Sequence, residues 1–119
     1  MTLRIANVLP YVVLKINAFQ DRHENKDAYD LVFTLLNFGE GPSDAGRSAA
    51  TSPVAHFDQV REAMTLMAER FESAAHDGPA AYAHFLAVTG EDEEAARFRQ
   101  DAFAVVRQFL KAFRESLSD

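Results

Sequence analysis

Apolar residues recur every three or four positions along most of this chain, which is the spacing of an α-helix buried on one side. A polar turn near residues 23 to 25 separates the first two such segments. We therefore predict a first helix over residues 10 to 22 and a second over 26 to 38, which Gly39 ends. Because the turn is short, the two helices should pack as an antiparallel pair. Residues 3 to 9 are rich in branched side chains, so we predict a short extended lead over residues 1 to 9.

The second half of the chain predicts a loop and three more helices. Residues 39 to 53 combine three Gly, two Pro and three Ser without apolar periodicity, which is typical of a loop. Within residues 54 to 119, helices are predicted at about 53 to 75, from Pro79 to about Thr89, and at about 91 to 117. The last helix has two adjacent apolar stripes, so we predict that it is the spine of the bundle. A subunit or domain interface is the alternative for its second stripe.

Composition narrows the classes of protein that this pattern allows. The chain has 119 residues, enough for a single domain, and its ten Phe can fill a core. Zero Cys excludes a disulfide framework, a thiolate zinc site and a cysteine nucleophile. The formal net charge of −6 argues against non-specific binding of nucleic acid. The apolar stretch near the N-terminus is interrupted by polar residues, so we expect no membrane span or signal peptide and a cytoplasmic location.

Together these features predict a single all-α domain over residues 1 to 119, a helical bundle of about five helices with a short extended N-terminal segment.

Two polar edges stand out on the first two helices. Lys15 and Arg22 are seven residues apart and share one edge of the first helix, with Tyr11 beside them. Asp27 and Asp30 share a narrow polar stripe on the second helix, and the short turn allows the two edges to face each other. One interpretation is a pair of salt-bridged surface stripes. The other is a site in which Lys15 contacts a phosphate, Arg22 orients the turn or the ligand, and the two carboxylates position Lys15 or a metal-water shell.

These residues also resemble a known motif. The run from Lys15 through Arg22 to Lys26-Asp27 and Tyr29-Asp30-Leu31 resembles K-x-x-A-x-x-x-R-x-x-x-K/R-D-x-Y-D-L, found in the C-terminal half of AbiEii-type nucleotidyltransferases, relatives of the DNA polymerase β superfamily from abortive-infection and toxin–antitoxin systems. A weaker resemblance to one branch of that family extends from Phe71 to Ala102. The resemblance implies that Lys15 is the family's nucleotide-contacting lysine, Asp27 the carboxylate of its fourth motif and Asp30 a structural or site-supporting neighbour. We therefore predict Lys15, Asp27 and Asp30 as catalytic residues, and Arg22 and Tyr11 as substrate-binding residues.

The departure from the family is informative as well. Its catalytic domain has a Gly-Ser start and an Asp-x-Asp metal pair on a mixed sheet, and this sequence contains neither. The chain therefore resembles the helical portion alone. We expect it to supply one wall of a nucleotide cleft, to be inactive by itself, and to need Mg²⁺ only in a complete site, with no metal site of its own. Its expected partner is a catalytic domain or another protein, and a homo-oligomer is a further expectation.

Two other functions stay open from the sequence. Arg70 and His76 fit the Arg-x(4 to 6)-His pattern, so the chain resembles HEPN ribonucleases in being small, helical and carrying that pair. The simpler interpretation of His76 is a cation at the C-terminus of a helix. The second alternative is a helical interaction module, similar to an antitoxin, that docks a protein through the exposed end of the last helix.

Overall fold

Helices account for nearly all of the regular structure in this chain. The computed structural model describes residues 8–86 and 93–117, and in these ranges it contains no strand. The predicted all-α fold is confirmed. The helices, in chain order, are α1 Val8–Arg22, α2 Asn25–Asn37, α3 Pro42–Ala50, α4 Asp58–Arg70, α5 Asp77–Phe85 and α6 Glu93–Leu117. None of these described helices is both long enough and apolar enough to cross a bilayer.

Helix α6 is the spine on which the other elements pack. It is 25 residues long and contacts α2, α3, α4 and α5. Glu93 and Glu94 lie in its first turn and Arg114 in its last, so both ends carry the charge that the helix dipole favours. Both predicted apolar stripes are covered within the chain, since the largest buried side chains of α6 come from both: Val105, Val106, Phe109, Leu110 and Phe113.

The first two helices form the predicted antiparallel pair. Helix α1 ends at Arg22, and His23 follows in the left-handed region with φ of 53°. The His23 N–H donates to the Phe19 carbonyl at 2.8 Å, which closes the last turn of α1. Glu24 is extended, and α2 begins one residue later. With only two residues between them, the helices run back along each other and bring positions 15 and 30 together.

The segment 39 to 53 is where the sequence prediction is wrong, because it contains α3 rather than only a loop. This helix also raises the total from about five to six. Its buried face consists of Ala45, Gly46 and Ala49, which are too small to register as apolar periodicity. Small residues let two backbones approach closely: a Cβ on Gly46 would lie 2.5 Å from the carbonyl oxygen of Phe109 on α6. Helix α3 therefore depends on tertiary packing rather than on a visible apolar stripe.

Other element boundaries differ from the predictions by a few residues. Val8 and Leu9, predicted as the end of the extended lead, belong to α1, and the rest of that lead lies outside the described residues. The helix predicted at 53 to 75 is confined to α4, Asp58–Arg70, because Phe71 leaves the helix and buries its ring against Gly78. His76 is consequently not a cation at the end of that helix: it precedes α5 as its N-cap residue.

Candidate functional site

Five charged side chains meet where α1 and α2 face each other, and we call them the ionic cluster: Lys15, Arg22, Lys26, Asp27 and Asp30. The Lys15 Nζ lies 2.8 Å from Asp30 Oδ2 and 3.7 Å from Asp27 Oδ1. Arg22 Nη2 donates to both carboxylate oxygens of Asp27, at 2.8 and 2.9 Å. Lys26 donates to Asp30 at 2.8 Å from one helical turn earlier. The structure thus brings together Lys15, Arg22, Asp27 and Asp30 of the predicted site.

Burial is uneven across the ionic cluster. The Asp27 side chain is only 2 % exposed, whereas Lys15 and Asp30 keep 18 % and 16 % of their surface and Arg22 keeps 55 %. Asp27 lies in the first turn of α2, where the helix dipole favours a carboxylate. Burying a carboxylate is costly unless it is paired, and the Arg22 guanidinium provides that pairing from the solvent side. In the described part of the chain, no buried side-chain nitrogen or oxygen lacks a hydrogen-bond partner.

The contact between Lys15 and Asp30 fixes the charge of both groups. The hydrogen bond to Asp30 raises the pKa of the Lys15 ammonium above its usual value, although partial burial acts in the opposite direction. Burial acts to raise the pKa of Asp30, but the hydrogen bonds from Lys15 and Lys26 outweigh that effect and hold the pKa below its usual value. Lys15 is therefore a firmly protonated cation and not a general base at neutral pH.

Tyr11 contacts the same cluster from the preceding turn of α1. The Lys15 Nζ lies 5.6 Å from the centroid of the Tyr11 ring, within the range of a cation–π contact. An aromatic ring at this distance supports the ammonium without neutralising its charge. The carboxylate of Asp30 and the ring of Tyr11 thus restrict Lys15 from two directions.

The carboxylates of the ionic cluster do not fit a magnesium site by themselves. Each is engaged by cationic side chains, Asp27 by Arg22 and Lys15, and Asp30 by Lys15 and Lys26. A divalent cation would have to displace those ammonium and guanidinium groups. Nowhere in residues 8–86 and 93–117 do three or more His, Asp or Glu gather in a way that could hold a metal ion. The chemical group that the ionic cluster provides is the Lys15 ammonium, which Asp30 holds in a fixed position.

The ionic cluster reaches the surface outside the best-formed cavities. Five cavities of about 230 to 570 Å³ indent the described surface, and none of these five is lined by Lys15, Asp27 or Asp30. Binding sites for small molecules are usually concave. A ligand on Lys15 would therefore be enclosed only if a second surface faced this one.

Arg70 and His76 each have partners of their own. Arg70 Nε donates to the Gln20 side chain at 2.9 Å, and Arg70 Nη1 lies 3.5 Å from Asp77 Oδ2. The His76 ring pairs with Ser73 Oγ at 2.8 Å through Nδ1 and lies 3.2 Å from a Glu72 carboxylate oxygen through Nε2. Among the described contacts, none joins Arg70 to His76.

Sequence reasoning missed two surface features. Three aromatic residues, Tyr29, Phe33 and Phe85, group beside the ionic cluster. The i, i+4 spacing of Tyr29 and Phe33 was visible in the sequence, but the approach of Phe85 from α5 was not. On another side, Leu14 and Phe57 are 62 % and 55 % exposed and border an apolar groove of about 440 Å³ between α1 and the start of α4.

The chain shows no significant match to a family of known proteins, to a characterised protein or to a solved structure. Its function must therefore be argued from the site and from the motif.

Proposed function

We propose that this chain is the helical portion of an AbiEii-like nucleotidyltransferase, in which Lys15 contacts the phosphates of a nucleotide on one wall of a cleft. The other wall belongs to a catalytic domain or a partner protein. The observation that carries the proposal is the fixed Lys15 ammonium, held 2.8 Å from Asp30 at a surface where it keeps 18 % of its area exposed. The residues around it match the spacing of the AbiEii-type motif.

The charge balance of the cluster supports anion binding. Three cations and two carboxylates leave one net positive charge, on a chain whose total is −6. The Lys15 ammonium has three N–H donors, and Asp27 at 3.7 Å lies beyond hydrogen-bond distance. A phosphate oxygen can accept a hydrogen bond from a second Lys15 N–H while the Lys15–Asp30 hydrogen bond stays in place. Asp27 and Arg22 then act as positioning residues that hold the two helices in register.

The ion pairs of the cluster also support the proposal that the isolated chain is inactive. Phosphoryl and nucleotidyl transfer depend on metal ions held by free carboxylates, and here both carboxylates are occupied by cations. Lys15 is protonated and keeps part of its side chain in contact with water, which screens its charge. The catalytic carboxylates must therefore come from the opposite wall. Nucleotidylation of any substrate by the purified chain with Mg²⁺ and nucleoside triphosphates would contradict this part of the proposal.

Phosphate binding can be tested directly on the lysine side chains. The chain has only three lysines, Lys15, Lys26 and Lys111, so labelled lysine gives three side-chain NMR signals. Titration with inorganic triphosphate should shift Lys15 and Lys26 at millimolar concentrations and leave Lys111 on α6 unchanged. Lys15→Met should abolish the shift, whereas Lys111→Met should not. Unchanged Lys15 and Lys26 signals, or an equal shift at Lys111, would show that the cluster is only a structural ion-pair network.

A second candidate function is protein interaction, and the apolar groove between α1 and α4 favours it. Leu14 and Phe57 are large apolar side chains left exposed on either side of this groove. Among the described residues of α6 the large apolar side chains are buried or half-buried, so the groove between α1 and α4 is the better supported docking surface. If the groove joins two copies of the chain, sedimentation should give a dimer that the double variant Leu14→Ser with Phe57→Ser converts to a monomer. A monomeric wild-type chain would exclude that self-association.

A further inference from the structure

Three aromatic rings form a continuous surface patch between α2 and α5, and we call it the aromatic patch. The Tyr29 ring is stacked with Phe33 at 5.7 Å between centroids and lies 4.6 Å from Phe85. Tyr29 also stacks on the buried Tyr82 at 5.9 Å, which ties the patch to the core. Phe85 is 41 % exposed, and Phe33 is half-buried. Tyr29 packs against the hydrophobic core, whereas Phe33 and Phe85 are not among the residues packed against it.

The aromatic patch adjoins the ionic cluster along a single helix. Tyr29 follows Lys26 by three residues and Phe33 follows Asp30 by three, so each aromatic residue is a neighbour of a charged one on the surface of α2. Three residues correspond to a rise of about 4.5 Å. On α2 the aromatic patch and the charged groups of the ionic cluster are therefore within about one helical turn of each other.

We propose that the aromatic patch is a stacking platform for the base of the nucleotide whose phosphates contact Lys15 and Lys26. This inference rests on the proposed function. A ligand with a flat ring at one end and an anion at the other matches the two adjoining surfaces, whereas an apolar peptide would bring no anion to the net positive charge of the ionic cluster. Stacking on ring faces accepts any base, because every base has such a face. The patch therefore contributes affinity for nucleotides over inorganic phosphate rather than a choice among bases.

The rigidity of Tyr29 makes the platform effective. Its ring contacts Phe33, Phe85 and Tyr82, so few rotamers remain to be lost when a base binds. Phe85 and Phe33 supply the exposed ring surface on either side. Phe57 is 55 % exposed, somewhat more than Phe85, but it lies on the apolar groove and provides the control.

The experiment compares ATP with inorganic triphosphate, using the lysine signals and labelled Phe and Tyr rings in NMR titrations without metal. We expect ATP to bind roughly tenfold tighter than triphosphate, since stacking of one base contributes about that factor. The Phe33 and Phe85 ring signals should shift with ATP only. The double variant Phe33→Leu with Phe85→Leu should remove the advantage of ATP and leave the affinity for triphosphate unchanged, and Phe57→Leu should change neither.

The outcomes distinguish base stacking on the aromatic patch from phosphate binding by Lys15, on which the stacking proposal rests. If both ligands shift Lys15 with equal affinity, the platform is wrong and the phosphate contact stands. If the double variant retains the tenfold advantage of ATP, the platform is also wrong, because the base then stacks elsewhere. If neither ligand shifts Lys15, both the platform and the proposed function are overturned. The single variant Phe85→Leu, at an exposed position, repeats the test should the double variant fold poorly.

Discussion

The buried carboxylate of Asp27 gives the sharpest test of how the α1–α2 pair is held together. In Asp27→Asn the side chain keeps its shape and loses its charge, while Arg22 and Lys15 remain beside it. Asp27 accepts two charge-assisted hydrogen bonds from Arg22, and one such bond contributes about 1.5–3 kcal/mol. Because Arg22 is 55 % exposed, it regains water when the pair is broken. We therefore expect a loss of about 2–3 kcal/mol, less than the 3–5 kcal/mol typical of a pair buried on both sides.

This loss is large enough to measure by two independent methods. Urea unfolding followed by circular dichroism should give the 2–3 kcal/mol directly, as a lower midpoint with an unchanged slope. For a chain of 119 residues, an unfolding entropy of about 0.25 kcal/mol/K converts the same loss into a melting temperature lower by roughly 8–12 °C. These values assume two-state unfolding, which coincident fluorescence and dichroism transitions would verify.

The matched control is Asp58→Asn in the first turn of α4. Asp58 is 85 % exposed, and its ion pair with Arg61 has a distance of 4.0 Å. Its removal should cost no more than about 1 kcal/mol, most of it from the helix dipole. If Asp27→Asn were no more destabilising than Asp58→Asn, the buried carboxylate would contribute nothing specific, and the argument that it holds α1 and α2 in register would be refuted.

Two further predictions concern packing and pH. Gly46→Ala should destabilise the fold by about 1–3 kcal/mol, because the new methyl would lie 2.5 Å from the Phe109 carbonyl oxygen. The clash outweighs the better helix propensity of Ala, which is about 1 kcal/mol. Thermal unfolding measures this loss, with Arg47→Ala at an exposed position as the control, and a stabilised Gly46→Ala variant would contradict the prediction. The contribution of Asp30 to stability should be complete above its unfolded pKa of about 3.9 and decline as the pH falls below it, since its folded pKa is the lower one. The difference in unfolding free energy between wild type and Asp30→Asn should therefore shrink from pH 5 to pH 2.5 in urea titrations, and a constant difference would disprove the linkage to Lys15.

The sequence predicted those parts of the fold where large apolar side chains repeat. Helices α1, α2 and α6 were found within about two residues at each end of their described ranges, because residues such as Ile16 and Phe109 mark a buried face. Helix α3 was missed for the opposite reason. Its contact with α6 is made by Gly and Ala, whose contribution is close approach rather than apolar area, and periodicity does not detect it.

Of the candidate site, the sequence predicted only the part formed by the neighbouring helices α1 and α2. The seven-residue spacing of Lys15 and Arg22 and the short turn were sufficient to place two cations opposite two carboxylates. The sequence did not predict which cation pairs with which carboxylate, because the pairing depends on the exact rotation of α1 against α2. The aromatic patch was beyond reach, because Tyr29 and Phe85 are 56 residues apart and meet only when α5 packs on α2.

The ion pairs of the α1–α2 cluster have a consequence for the order in which the chain folds. They join residues separated by 4, 5, 12 and 15 positions, whereas Gly46 and Phe109, where α3 lies against α6, are 63 positions apart. Short separations lose little chain entropy on closure and form rapidly. We therefore expect the α1–α2 pair and its ionic cluster to form early in folding, before α6 packs and completes the core. The residues proposed to contact the nucleotide would then be in their native arrangement before the rest of the domain has folded.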